Sequence, residues 1–92
     1  MSGEVSATVT IVNKRGLHAR AAAKVCEIAG PFRSQIKVSK DGTTVGARSL
    51  MALLMLGAGI GSSVTITAEG DDAEDAVAAL KALIEDRFHE DE

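Results

Sequence analysis

Three stretches of this chain alternate apolar with polar residues, and each has only one apolar side. Val5, Ala7, Val9 and Ile11 alternate with Ser6, Thr8 and Thr10; Ile36 and Val38 share one side of residues 35–39; Val64, Ile66 and Ala68 alternate with Thr65, Thr67 and Glu69. A period of two is the mark of a strand buried on one face. A sheet made of such strands is covered by helices on one side and wetted on the other. Between the first two strands, residues 19–29 read as a helix, with Gly30 expected as its left-handed stop and Pro31 just beyond. Asp41-Gly42 predicts a tight hairpin into a strand over residues 43–46. Ser49 is placed to cap a short helix over residues 50–56, apolar on every side and ended by Gly57 and Gly59. After the last strand, Asp71 or Asp72 caps a final helix whose apolar stripe is Ala76, Val77, Leu80, Leu83, Ile84 and Phe88.

The order β-α-β-β-α-β-α predicts an α+β fold, an open-faced β-sandwich in which a four-stranded antiparallel sheet carries three helices on one face. With 46% apolar residues, 92 residues suffice for one thin core, so the chain reads as a single domain. From about residue 88 onward it is expected to fray, with no specific role for His89-Glu90-Asp91-Glu92. The one cysteine excludes an intrachain disulfide and suits a reducing compartment, and Cys26 reads as a small buried hydrophobe. No leader pattern opens the chain, and its longest apolar run, residues 50–56, is too short for a bilayer. A soluble, cytoplasmic protein without a membrane partner is expected. A net charge of −3 and only two phenylalanines argue against nucleic-acid binding.

The sign of the charge changes along the chain. Acids crowd the C-terminal third, whereas Lys14, Arg15, Arg20 and Lys24 lie in a stretch from Val5 to Cys26 with no Asp or Glu. Within that stretch His18 stands where a helix cap belongs, and Arg20 stands in a first turn that favours acids. A cationic helix start without its own anion is an anion site. His18 could serve as base, nucleophile, metal ligand or plain cap. The only other histidine is His89 and no Cys-x-x-Cys is present, so neither a metal nor a cofactor is expected. Spacing does not exclude a hydrolytic Ser-His or Cys-His pair, but so small a chain has little room for a substrate cleft. Phosphoryl transfer fits better: the helix dipole keeps a lone pair on the imidazole, and the first-turn amides with Arg20 would hold the oxygens of the product. The residues alone leave a second reading open, in which His18 merely caps the helix and Arg20 is a solvated charge.

Three segments taken together, Asn13-Lys14-Arg15-Gly16-Leu17-His18-Ala19-Arg20, residues 49–57 and residues 64–70, resemble HPr, the histidine-containing phosphocarrier of the phosphoenolpyruvate phosphotransferase system. The resemblance covers nearly the whole chain. It implies a phosphoryl carrier rather than a stand-alone enzyme: His18 takes the group on Nδ1 from Enzyme I and passes it to an Enzyme IIA domain, with Arg20 as charge partner. It also implies regulation at Ser49 by an HPr kinase/phosphorylase where one exists, a phosphate there adding about −1.5 to −2 charges. Otherwise Ser49 is a simple cap. Leu50, Met51, Leu54 and Met55, with Arg15 and Lys24, are the expected partner-binding residues of a monomer that docks transiently. The family places a proline after the arginine, and this chain has Ala21, which is expected to loosen the turn. The Asn13-Lys14-Arg15 loop and the Leu53-Leu54-Met55-Leu56 run look like the nitrogen-related branch, and Ser49 in its setting like the carbon branch that serves sugar transport. The alternative from another class is a small α+β regulatory or protein-binding module in which His18 stays unmodified.

Overall fold

The computed structural model describes residues 3–90. Its elements are β1 (Glu4–Thr10), α1 (Ala19–Ala29), β2 (Gln35–Lys40), β3 (Thr43–Gly46), α2 (Leu50–Met55), β4 (Ser63–Glu69) and α3 (Ala73–Glu85), followed by a 3-10 turn at Arg87–His89. The strands form one sheet in the order β1-β4-β2-β3, every neighbouring pair antiparallel. This is the predicted open-faced architecture.

The alternation sets the register. Ala7 lies opposite Ile66 and Ile66 opposite Val38, while Val5, Ala68 and Ile36 make a parallel row, so the apolar side chains of three strands share one face. A slip of one residue in any strand would turn its whole apolar set to water. The other face carries hydroxyls that pair across strands, Thr8 with Thr65 at 3.2 Å and Ser39 with Thr44 at 2.8 Å. Beneath the helices, Val9, Ile36, Val64 and Ile66 pack with Leu53, Leu80 and Ile84. The predicted stripe of α3, from Ala76 to Ile84, is buried. Cys26 is half-buried rather than buried, and desolvation pushes its thiol up, away from the reactive thiolate.

Four local expectations give way to longer-range contacts. Gly30 is right-handed (φ −52°, ψ −50°) and not the left-handed stop. The end of α1 is closed instead by the Arg48 guanidinium, which donates to the carbonyl of Ala29 at 2.9 Å and also to those of Phe32 and Ser34. Ser49 begins α2 with extended backbone but makes no side-chain cap bond. Asp72 precedes α3 without capping it, because its carboxylate accepts from the amides of Arg33 and Ser34, both at 2.9 Å, and from the Ser34 hydroxyl. The fourth change is at the C-terminus, where the chain does not fray at residue 88. Phe88 is fully buried in the core, carried there by a left-handed turn with φ of 56°, 56° and 64° at Arg87, Phe88 and His89. Residues 91 and 92 of the expected tail lie outside the described residues.

The Ser34 hydroxyl, then the amide of Arg33, outweigh desolvation and hold the Asp72 carboxyl below its ordinary range, with the Ser34 amide adding to the effect. A carboxyl depressed in the folded state stabilises the fold fully above the unfolded value of about 4, and that contribution is lost as pH falls through the lowered one. An Asp72→Asn variant should melt several degrees below wild type at pH 7, and its Tm should fall less than that of wild type between pH 5 and 3. Parallel falls in Tm would contradict the assignment.

Candidate functional site

The strand that starts the chain also builds the site. Asn13 continues the inward series of Val5, Ala7, Val9 and Ile11 and is fully buried. Its Nδ2 donates to the carbonyl of Gly16 at 2.9 Å, closing the turn before the helix. Gly16 has φ +66°, and a Cβ there would lie 2.5 Å from the carbonyl oxygen of Ala58 and 2.8 Å from Cα of Gly59. No side chain fits that position. The next amide, Leu17, donates to the same Ala58 oxygen at 2.8 Å, so the loop after α2 is locked to the loop before α1.

His18 is the cap of α1, with extended backbone and its carbonyl accepting from the amide of Ala22 at 2.8 Å. Its Nδ1 accepts from the amide of Arg20 at 3.3 Å, a long bond to the second helical residue. Its Nε2 meets the carboxylate of Glu90. An Nδ1 that accepts puts the ring proton on Nε2, where it donates to the carboxylate. The Nδ1 lone pair therefore faces the positive end of an eleven-residue helix. The His18 side chain keeps 23% of its surface exposed and that of Glu90 14%, so the ring is held from behind and open in front.

The basic stretch thus has an anion after all, delivered from the far end of the chain. The other Glu90 oxygen accepts from Asn13 Nδ2 at 3.1 Å, and Lys24 Nζ donates to the carbonyl of Phe88 at 2.6 Å. Desolvation in this notch pushes the Glu90 carboxyl up. The hydrogen bonds from His18 and Asn13, with the charge of Lys24, outweigh that and hold it below the usual carboxylate range.

Arg20 is exposed, and among the described residues its guanidinium makes no hydrogen bond or ion pair, which leaves it available to an incoming anion. Arg15 is exposed as well, whereas Lys24 is half-buried and bound to the C-terminal turn, not open for docking. On α2, Met51 is 69% and Met55 82% exposed beside an exposed Leu50, but Leu54 packs against the core and does not join them. Val12 and Ile60, which sequence reasoning passed over, add to the exposed apolar surface. They flank the bonds that join Ile11 to Gly61 and Ser62. The signal for Val12 was a second apolar residue where the alternation called for a polar one. Asn13 was legible too, as a polar residue at an inward position. For Glu90 the only hint was Phe88, an aromatic residue in an otherwise charged tail.

The site combines an accepting ring nitrogen at a helix start with an uncommitted arginine two residues on. Residues 5–86 match the family described as PTS HPr component phosphorylation site. The chain belongs to the HPr family. It is similar to the phosphocarrier protein HPr of Cupriavidus necator, 54% identical over 83 residues, covering 90% of this chain and 93% of the relative. A phosphocarrier protein NPr from Shewanella violacea is 42% identical over 82 residues, covering 89% and 90%. The crystal structure of HPr-C-His from Thermoanaerobacter tengcongensis superposes with a TM-score of 0.91 at 46% identity, covering 96% of this chain and 99% of that one. The protein is an HPr-type phosphocarrier of the phosphotransferase system, with HPr and NPr both among its relatives. HPr membership implies partners within that system. Among the described residues no helix is long and apolar enough to cross a membrane. Ala21, which stands after the arginine where the resemblance implies a proline, is fully buried in the first turn of α1.

Proposed function

We propose that His18 carries the phosphoryl group on Nδ1, taking it in the cytoplasm from Enzyme I, which draws it from phosphoenolpyruvate, and passing it to an Enzyme IIA domain. The observation that carries this reading is the imidazole itself, its Nδ1 turned to the first-turn amides and its Nε2 occupied. The 3.3 Å bond from the Arg20 amide is weak enough to be given up, and a phosphoryl oxygen on Nδ1 would take that donor over. Arg20 supplies the charge that the oxygens need, and its freedom in the resting protein means that no ion pair has to be broken first. Little covalent chemistry is asked of the protein beyond this positioning.

Donor and acceptor dock in turn on Leu50, Met51, Met55, Val12 and Ile60, with Arg15 at the rim steering acidic partners. The test is to incubate the protein with Enzyme I and phosphoenolpyruvate, digest it, and locate the acid-labile phosphate. It belongs on the peptide that holds His18; a peptide that holds His89 instead would refute the assignment.

Ser49 is the proposed regulatory site. Its exposed hydroxyl makes no cap bond and sits beside Leu50 and Met51, so a phosphate there would repel an acidic partner from the docking surface. With ATP and an HPr kinase, wild type should be labelled and a Ser49→Ala variant left unlabelled. Equal labelling would move the site elsewhere.

A further inference from the structure

The family match ends at Asp86, two residues before the turn reaches Phe88 and four before Glu90. The turn that brings a carboxylate to His18 lies beyond it. Three successive non-glycine residues, Arg87, Phe88 and His89, hold left-handed backbone, a conformation that L side chains rarely adopt. Such strain persists only where its surroundings over-determine it. Here Phe88 is locked into the core, Lys24 holds the Phe88 carbonyl, Asn13 holds one Glu90 oxygen and His18 holds the other.

We infer that Glu90 is a positioning residue for phosphoryl transfer: it keeps the His18 proton on Nε2, so that Nδ1 is the attacking nitrogen, and it offsets the positive charge that the ring gains when phosphorylated. The inference rests on His18 being the carrier. In the forward step the Nδ1 lone pair forms a bond to phosphorus, and the bond from phosphorus to the donor breaks with its electron pair returning to the donor. No proton moves. Nε2 keeps its hydrogen, so the product is an N-phosphorylated imidazolium whose cation lies against the Glu90 carboxylate. On transfer to the acceptor the electron pair of the nitrogen–phosphorus bond returns to Nδ1 and the neutral ring is restored. The buried Asn13 amide fixes the carboxylate, as an outer-shell group orients a metal-bound histidine. Without an acceptor at Nε2 the ring is free to exchange tautomers, and an Nδ1 that holds a proton cannot attack.

The test compares wild type, Glu90→Gln and Glu90→Ala, with Glu85→Gln as a control on an exposed glutamate of α3. Nitrogen-15 NMR of the His18 ring reads the tautomer, and stopped-time labelling with Enzyme I and phosphoenolpyruvate reads kcat and KM for each protein as acceptor. The Nε2–H form should dominate in wild type, Glu85→Gln and Glu90→Gln, whose amide oxygen still accepts, and should give way to a mixture in Glu90→Ala. The alanine variant should lose about tenfold in kcat with KM little changed, one charge-assisted hydrogen bond's worth, and the glutamine variant an intermediate amount. An unchanged tautomer and rate in Glu90→Ala would overturn the inference. Failure of wild type to be labelled on His18 would instead overturn the reading on which it rests.

Discussion

A His18→Ala variant should take up no acid-labile phosphate from Enzyme I and phosphoenolpyruvate while keeping its fold. The loss is complete because nothing else among the described residues repeats the arrangement. His89 is exposed, sits in a turn instead of a helix start, and has its Nδ1 engaged by the Asp86 carboxylate at 2.6 Å. Cys26 is half-buried with its thiol pushed up by desolvation. The structural cost is confined to two contacts. The imidazole makes one long cap bond, whose loss costs about 1 kcal/mol, and the bond to Glu90, which follows the last element of the fold, so circular dichroism should be unchanged and Tm should fall, though by less than in Phe88→Ala. Labelling that survives in the folded variant would show that the phosphoryl group travels by another residue.

Phe88→Ala should have the largest effect on stability. Phe88 is the bulkiest fully buried side chain, closing the core beneath Ile11, Leu17, Leu80 and Ile84. Truncating a buried phenylalanine costs about 3–5 kcal/mol, a large share of the roughly 5–15 kcal/mol that holds a small domain together. At about 4–8 °C per kcal/mol, Tm should fall by more than about 12 °C, with a matching shift in the urea midpoint. The same change removes the anchor that pays for a left-handed turn, so Glu90 should leave His18 even at temperatures where the sheet stays intact. Loss of the Nε2 contact together with a lowered Tm is the expected pair of results. A variant as stable as wild type would mean that residues 87–90 contribute nothing to the core.

The sheet was legible because its pattern is redundant. Val5, Ala7 and Val9 repeat a period that β4 and β2 match in register, and Asp41 and Gly42, with φ of 49° and 84°, supply the positive angles that a tight hairpin demands. The bounds of α1 coincide with the predicted residues 19–29, since the glycine at 16 and Gly30-Pro31 bracket them. What escaped are side chains whose partners lie far along the chain. Asp72 has the sequence signature of a cap, but it is spent on Arg33 and Ser34, 39 and 38 residues away. Arg48 closes a helix that ended 19 residues earlier. Glu90 reaches His18 across 72 residues. Short-range rules assign each of these groups a local duty, and tertiary packing overrides it.

The site divides along the same line. His18 and Arg20 stood out because they violate the preferences of a helix start, and the fold places His18 at the cap of α1 and Arg20 in its first turn. The missing anion that made the stretch conspicuous was not missing. It arrives from a tail that composition alone marks as solvated, and it occupies Nε2 of His18.

The most direct measurement of the central claim is nitrogen-15 NMR of histidine-labelled protein after phosphorylation by Enzyme I and phosphoenolpyruvate. Phosphorus coupling should appear at Nδ1 of His18, with Nε2 still bearing its proton. Coupling at Nε2, or at either ring nitrogen of His89, would contradict it.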